Sequence, residues 1–283
     1  MADRCLKIAT CQFAVSSSIK RNARQIHNFL HKAAGANADI VHFSECALSG
    51  YAGNEFESFD GYDWQLLRQE TEKIMTIAKK LGLWLVLGST HKLTGNNKPH
   101  NSLYIISPKG KIVDRYDKRF CTSADLNYYT PGSRFVSFSL KGVKCSLLIC
   151  FDLRFPELYR QLYKQKVDCI FQSFYNARQN GPSVHKYIMR QTMQCRAATN
   201  YFRVSMTNSS AYYSPWPCCF IEPDGKIAQQ LKPNRAGIMF NTIDLKQKFY
   251  DASASFRDMA IAGILSNGPK TINDPRSINR TAL

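Results

Sequence analysis

The segment that most constrains the fold lies near the N-terminus, where a strand pattern, a helix pattern and a second strand pattern follow each other directly. The stretch LKIATCQF, from Leu6, alternates apolar and polar residues and predicts a half-buried strand. In the next stretch, KRNARQIHNFLHKAAG, apolar residues recur at helical spacing. DIVHFSE then predicts a short strand that delivers Glu45 at its end. Strand, helix and strand in this order indicate a layered α/β architecture.

Three later segments predict hairpins instead of helical crossovers. Turn sequences separate paired apolar runs at Pro-Lys-Gly (108–110), Lys-Gly (141–142) and Pro-Asp-Gly (223–225). A sheet that contains both crossovers and hairpins is mixed, and helices on one face of each sheet leave the other faces free to pack together. We therefore predict an α/β fold, a four-layer αββα sandwich with two mixed β-sheets.

Length and composition favour a single domain. A chain of 283 residues is near the upper size for one hydrophobic core, and 44% hydrophobic with 21% charged residues suffices for a large one. No linker rich in Pro, Gly or Ser interrupts the pattern, which weakens only beyond Lys246. We predict one domain over residues 1–262 and an irregular C-terminal tail over residues 263–283.

Neither a membrane span nor an export signal is evident. The longest apolar runs are far shorter than the roughly 20 residues that a span needs. The N-terminus, MADRCLKIATCQF, carries an acid and mixed polar residues where a signal peptide has a basic start and an apolar stretch. We expect a cytoplasmic protein with no membrane partner. Disulfides are rare there, so we interpret the ten cysteines as thiols, nine buried and one reactive. Their spacing predicts no metal site.

The formal net charge of +17 raises nucleic-acid binding as a competing hypothesis, because a basic face neutralises phosphates. The basic residues are spread along the whole chain, and no run of five or six Lys or Arg occurs. Such a distribution is typical of solvated surfaces and disfavours nucleic acid as a partner.

Three reactive side chains lie at or just after predicted strands: Glu45 in FSECALSGY, Lys118 in YDKRF and Cys150 in LLICFDLRFPELYR. Cys150 is predicted to be the last residue of its strand. Active sites gather at strand ends in layered α/β proteins. A thiol is little ionised at neutral pH and needs a base or a cation to become a good nucleophile. Glu45 can supply the base and Lys118 the cation. Since no histidine has the context of a Cys-His hydrolase, the Glu-Lys-Cys set is the better candidate for attack on an acyl or nitrile carbon.

Other polar and aromatic residues near these segments have a structural interpretation. We interpret Asp152, Arg154 and Glu157 as salt-bridge residues that hold the turn after the cysteine. Tyr51 and Trp216 are interpreted as packing or pocket-wall residues rather than reactants.

The three segments resemble the nitrilase superfamily, the carbon-nitrogen hydrolases. HFSECALSGY is similar to the family's first glutamate motif, RYDKRF to its lysine motif and ICFDLRFPELYR to its nucleophile motif. The resemblance spans about Leu6 to Leu245. It implies an αββα sandwich that assembles into homodimers or larger homo-oligomers.

The resemblance also implies roles for individual residues. Glu45 would be the general base and later the acid, Lys118 would stabilise the tetrahedral intermediate, and Cys150 would form a thioester. The backbone N–H of Phe151 would be the second oxyanion donor, and no metal or organic cofactor is required. Where family amidases carry a second glutamate, this chain has Asp125, one methylene shorter, for which we expect a supporting role.

These expectations together describe an amidase-like hydrolase. We expect it to cleave a C–N bond other than a peptide bond in a small linear amide, releasing a carboxylic acid and ammonia or an amine. Nitrile hydrolysis by the same triad is the alternative chemistry, because a thiol also attacks a nitrile carbon. A catalytically silent, basic binding or scaffold protein that keeps the fold is the alternative from another class.

Overall fold

The computed structural model describes residues 5–178, 184–268 and 272–281. The chain divides into two units, one ending at Tyr250 and one beginning at Asp251, and each is described by itself. The predicted domain boundary after Ala262 stays a prediction.

The first unit contains a six-stranded sheet in the order β12-β1-β2-β3-β4-β5. Neighbours among β1, β2 and β3 are parallel, and the other neighbouring pairs are antiparallel. The strands are β1 (Leu6–Gln12), β2 (Ile40–His42), β3 (Trp84–His91), β4 (His100–Ile106), β5 (Ile112–Asp117) and β12 (Gly237–Ile243).

A second six-stranded sheet has the order β11-β10-β9-β8-β7-β6. It is also mixed, with β7, β8 and β9 parallel and antiparallel strands at both edges. The strands are β6 (Ser137–Leu140), β7 (Val143–Ile149), β8 (Cys169–Ser173), β9 (Arg203–Thr207), β10 (Cys219–Ile221) and β11 (Ile227–Gln230). All three predicted hairpins are present, because each turn sequence joins two antiparallel strands.

Four helices cover the outer faces of the two sheets. They are α1 (Ile19–Gly35), α2 (Trp64–Leu81), α3 (Pro156–Lys164) and α4 (Val184–Asn200). Local signals fix their ends: the Ser18 side chain accepts a hydrogen bond from the Arg21 amide at the start of α1, and Gly82 closes α2 in the left-handed conformation that glycine adopts easily.

The alternation of strand residues divides the core into two clusters. Val41 packs with the buried faces of α1 and α2, whereas its neighbour Ile40 packs with the second sheet and the helices beyond it. Burying such aliphatic side chains stabilises the fold by roughly 1.5–3 kcal/mol each. The layers therefore run helix, sheet, sheet, helix, which confirms the predicted αββα sandwich.

A buried polar network, here called the inter-sheet cluster, joins the two sheets; it consists of Thr10, His42, Ser173, Ser205 and Thr207. The His42 ring sits between two hydroxyls, with Nδ1 2.8 Å from Ser205 Oγ and Nε2 2.8 Å from Ser173 Oγ. Thr10 Oγ1 lies 2.8 Å from the same Ser205 oxygen. Burial lowers the pKa of His42 to about 3, so the imidazole is neutral.

The second unit has two short helices among its described residues, α5 (Arg257–Ile261) and α6 (Pro275–Ile278). Across the described parts of the chain, none of the helices combines the length and the apolar character that a membrane crossing requires.

Candidate active site

Glu45 follows β2, and its carboxylate is fully buried and held by three donors. Oε1 accepts hydrogen bonds from Asn101 Nδ2 at 2.8 Å and from Lys118 Nζ at 2.9 Å. Oε2 accepts one from the backbone N–H of Tyr175, which lies after β8 in the other sheet, at 2.7 Å. Burial raises the pKa of Glu45, and the opposing effect of Lys118 is smaller. The carboxylate is thus fixed in place and disposed to take up a proton.

Lys118 follows β5 and is only 1% exposed. Its Nζ donates to Glu45 Oε1 and, at 2.8 Å, to Asp125 Oδ2. Burial lowers the pKa of Lys118, but the charges around it, Glu45 first among them, outweigh burial and raise the pKa well above its usual value. The side chain is therefore a buried ammonium that two carboxylates compensate.

Asp125 begins a short 3₁₀ helix, Asp125–Asn127, and its shorter side chain reaches the ammonium without difficulty. The carboxylate also accepts hydrogen bonds from the Tyr51 hydroxyl and from the Thr122 amide. Burial raises the pKa of Asp125, but Lys118 and the hydrogen bonds from Tyr51 and Thr122 together outweigh burial and lower the pKa, so the group is ionised. Tyr51 is thus more than a pocket wall, since its hydroxyl holds this carboxylate.

The sequence pattern predicted Cys150 as the last residue of its strand, but in the structure Cys150 lies just beyond the strand. Strand β7 stops at Ile149, and Cys150 begins a 3₁₀ helix, Cys150–Arg154, with a φ of +42°. Few residues other than glycine adopt that region, and such strained residues are frequent at active sites. The turn places the thiol at the end of the sheet instead of within it.

The turn after Cys150 is held by hydrogen bonds rather than by the predicted salt bridges. The buried carboxylate of Asp152 accepts from the Ile149 amide at 3.0 Å, the Phe120 amide at 2.9 Å and the Tyr116 hydroxyl at 2.7 Å. These neutral donors satisfy the carboxylate without a cation. Because the other two predicted partners are exposed, ion pairs there would contribute little.

The Cys150 thiol stays protonated at rest. Burial and the charge of Glu45 raise the pKa of Cys150 well above its usual value, and Lys118 offsets this only in part. Asn176 Nδ2 donates to the sulfur at 3.6 Å. Lys118 therefore does not ionise the thiol, because two carboxylates already compensate its charge. A base must remove the proton during the reaction, which is the task of Glu45 in the predicted triad.

A cavity of about 270 Å³ opens onto these groups. Cys150, Phe151, Lys118 and Asp125 all contribute to its wall. Phe151 lies in the first turn of the 3₁₀ helix, where backbone N–H groups have no partner within the helix. The structure thus places four of the five sequence-predicted site residues in the wall of one cavity, and the fifth, Glu45, is hydrogen-bonded to one of them, Lys118.

Sequence reasoning missed the residues that hold the reactive groups. Asn101 and the Tyr175 amide both donate to Glu45, and Asn176 donates to the sulfur. No local pattern distinguishes these asparagines from ordinary strand-end residues, and the Tyr175 amide is a backbone group that any residue provides.

The remaining cysteines differ from the predicted nine buried thiols. None of the ten, all of which lie among the described residues, forms a disulfide, but only six are buried; Cys195 is exposed, and Cys5 and Cys121 are partly exposed. The described residues contain no group of three or more His, Cys, Asp or Glu side chains arranged to hold a metal ion.

Comparison with known sequences identifies relatives. A family model described as carbon-nitrogen hydrolase matches residues 7–248. The omega-amidase NIT2 of Homo sapiens is 26% identical over 258 residues, which cover 85% of this chain and 89% of that protein. The 2-oxoglutaramate amidase of Bacillus subtilis (strain 168) is 30% identical over 167 residues, covering 58% and 62%.

Solved structures share the fold. An amidase of the nitrilase superfamily from Nesterenkonia superposes with a TM-score of 0.75 at 16% identity, covering 92% of this chain and 97% of that one. A glutamine-dependent NAD+ synthetase from Acinetobacter baumannii gives a TM-score of 0.71 at 17% identity, covering 86% of this chain and 46% of that one. At these identities the likeness establishes the nitrilase-type sandwich and no more.

The matched family segment contains all three motifs and nearly all of the first unit. The chain belongs to the carbon-nitrogen hydrolase family, and it is a hydrolase of carbon-nitrogen bonds other than peptide bonds.

Proposed function

We propose that this enzyme hydrolyses a small-molecule amide through a covalent thioester on Cys150. The observation that carries the proposal is that a protonated thiol and a buried ammonium line one cavity and that a fixed carboxylate is hydrogen-bonded to the ammonium. The human and Bacillus relatives are both named as amidases, which favours an amide over a nitrile.

In the first step, Glu45 removes the thiol proton as the sulfur of Cys150 attacks the amide carbon. The carbonyl π electrons move to oxygen, and the oxyanion accepts hydrogen bonds from Lys118 Nζ and the Phe151 amide. Each such donor contributes on the order of 10² to 10³ in rate. Because Lys118 keeps its proton, its contribution is a fixed positive charge.

In the second step, the tetrahedral intermediate collapses. The protonated Glu45 gives its proton to the leaving nitrogen, the C–N bond breaks, and ammonia or an amine departs from the thioester. Glu45 then takes a proton from a water molecule that attacks the thioester carbon. The C–S bond breaks, the acid is released, and the proton returns to the sulfur, with acid-base help of about 10² to 10⁴.

Asp125 is a positioning residue in this scheme. It accepts a hydrogen bond from the Lys118 ammonium, as Glu45 does, and it is itself held by Tyr51 and the Thr122 amide. A lysine fixed by two carboxylates cannot swing away from the oxyanion position.

The natural setting that we propose is a cytoplasmic homodimer or larger homo-oligomer. The resemblance to the family supports it. Light scattering on the purified protein gives the mass of the assembly, and a monomer over the working concentration range contradicts this part of the proposal.

The central test is a substrate screen with mass spectrometry. Incubation with butyramide and related amides is expected to give an acyl adduct on Cys150, and Cys150→Ala is expected to abolish both the adduct and the turnover. Cys195→Ala, which removes an exposed thiol, is the matched control and should match the wild type. Unchanged turnover in Cys150→Ala would contradict the thioester mechanism.

A further inference from the structure

The balance of charge in the cavity constrains which amides can enter. Its one described ammonium, Lys118, is already hydrogen-bonded to two carboxylates, Glu45 and Asp125. The group as a whole carries no surplus positive charge. A ligand carboxylate would find no unshared cation at the reacting centre.

The rest of the described lining is uncharged. Its polar groups away from the reacting centre come from Thr122 and from asparagines and tyrosines, including Asn54, Asn127 and Tyr128. These side chains can hydrogen-bond a neutral polar tail, but they cannot neutralise an anion.

Three arginines lie close to lining residues in the sequence. Arg119 packs over the Phe135 ring and Arg190 lines a different cavity, whereas Arg178 already has a carboxylate partner. Its Nε donates to Glu55 Oε1 at 2.8 Å, and the same oxygen accepts from the Tyr175 hydroxyl. A substrate carboxylate at Arg178 would therefore share one guanidinium charge with Glu55.

The size of the cavity sets a second constraint. Its volume of about 270 Å³ lies just below the roughly 300–1,000 Å³ of typical ligand pockets. A short-chain amide fits into such a space, whereas an extended, peptide-like amide is too large for it.

We propose that this site selects short amides with an uncharged tail and discriminates against amides that carry a terminal carboxylate. A carboxylate that enters the cavity loses its hydration without gaining a cation, and burial of an unpaired charge is costly. This inference rests on the proposed amidase function and deepens it. It separates the chain from a relative named for 2-oxoglutaramate, a molecule that bears a carboxylate.

The test compares glutaramide with glutaramate, which differ only in a terminal carboxamide or carboxylate, with butyramide as the reference substrate. After allowance for the two amide groups of glutaramide, its kcat/KM is expected to exceed that of glutaramate at least about tenfold near neutral pH. Equal or faster turnover of glutaramate overturns the charge discrimination while leaving the amidase proposal intact. Absence of turnover with all three amides overturns both proposals.

Two substitutions locate the origin of the discrimination. Asp125→Asn removes one negative charge beside Lys118, so the ratio of glutaramate to glutaramide turnover should rise several-fold, whatever the loss in absolute rate. Arg178→Ala should leave the ratio unchanged, with Glu57→Gln, on an exposed side chain, as control. A selective loss of glutaramate turnover in Arg178→Ala would make Arg178 a carboxylate receptor and overturn the inference.

Discussion

The inter-sheet cluster contains His42, and the charged cluster of Glu45, Lys118 and Asp125 begins only three residues later in the sequence. Burial nevertheless has opposite effects on the charges of the two clusters. Burial strips His42 of its charge, because its partners are neutral hydroxyls. Burial leaves Lys118 charged, because two carboxylates surround it.

The difference shows that the supply of counter-charges, rather than depth, decides what a buried group can do. A neutral imidazole between hydroxyls can fix the distance between two sheets, since the hydroxyl hydrogens rotate to suit either tautomer. A compensated ammonium at the edge of a cavity can stabilise a developing oxyanion. The first cluster is structural and the second is suited to chemistry.

The largest effect is expected when the charged cluster loses its cation. Lys118→Met should lower kcat for butyramide by about 10² to 10³, because one oxyanion donor is lost. It also leaves two buried carboxylates without a counter-charge, so their pKa values should rise. Steady-state kinetics test the effect, with the exposed Lys109→Met as control. A change of less than threefold would mean that the ammonium takes no part in catalysis.

The next effect tests the neutrality of the inter-sheet cluster. The folded-state pKa of His42, about 3, lies below its ordinary value, so its contribution to stability is full above the ordinary value and is lost as the pH falls toward 3. At pH 5 the loss should be about 2 kcal/mol.

Urea unfolding at neutral and at acidic pH measures this loss. The wild type should lose about 2 kcal/mol more than His42→Gln between pH 7 and pH 5, because the carboxylates are common to both proteins. His31→Gln, at an exposed histidine, should follow the wild type. Equal slopes in wild type and His42→Gln would show that His42 is not held neutral.

A smaller effect is expected from the second carboxylate of the charged cluster. Asp125→Asn should lower kcat for butyramide about tenfold with little change in KM, since Lys118 loses one of its two charged partners. Asp125→Glu should recover most of the rate, because it restores the carboxylate. Failure of the glutamate variant to exceed the asparagine variant would contradict a positioning role.

The smallest effect concerns one hydroxyl of the inter-sheet cluster. Ser205→Ala removes the partner of both His42 and Thr10 and should cost about 1 kcal/mol in the free energy of unfolding. Its kcat and KM should stay unchanged, unlike those of the charged-cluster variants. The midpoint of urea unfolding gives the cost, with Ser133→Ala as the exposed control.

The sequence allowed the sandwich, the hairpins and the helices to be predicted, because each depends on a local period or a turn residue. It also led to Glu45, Lys118 and Cys150 through motifs around them. It did not reveal that Cys150 lies beyond its strand, because the turn depends on Asp152 and its donors from a distant loop.

Hydrogen bonds between residues far apart in the sequence could not be predicted for the same reason. The partners of His42 lie 131 and 163 residues away, and the register of two sheets decides whether they meet. The reach of Asp125 to Lys118 likewise depends on where a 3₁₀ helix places its backbone. The separation of two residues in the sequence predicts neither the hydrogen bonds of His42 nor the contact of Asp125 with Lys118.

The carboxylate of Asp152 accepts a hydrogen bond from the Ile149 amide, just before the nucleophile. It also accepts hydrogen bonds from the Tyr116 hydroxyl and the Phe120 amide, which lie on either side of Lys118 in the sequence. One side chain thus sets the spacing between the sulfur and the ammonium. For anyone redesigning the enzyme toward new substrates, the practical consequence is a division of labour. Lining positions away from the reacting centre, such as Asn54 and Asn127, can be varied in a mutant library. Asp152 should be kept, since a longer acid there would shift the nucleophile and the cation apart.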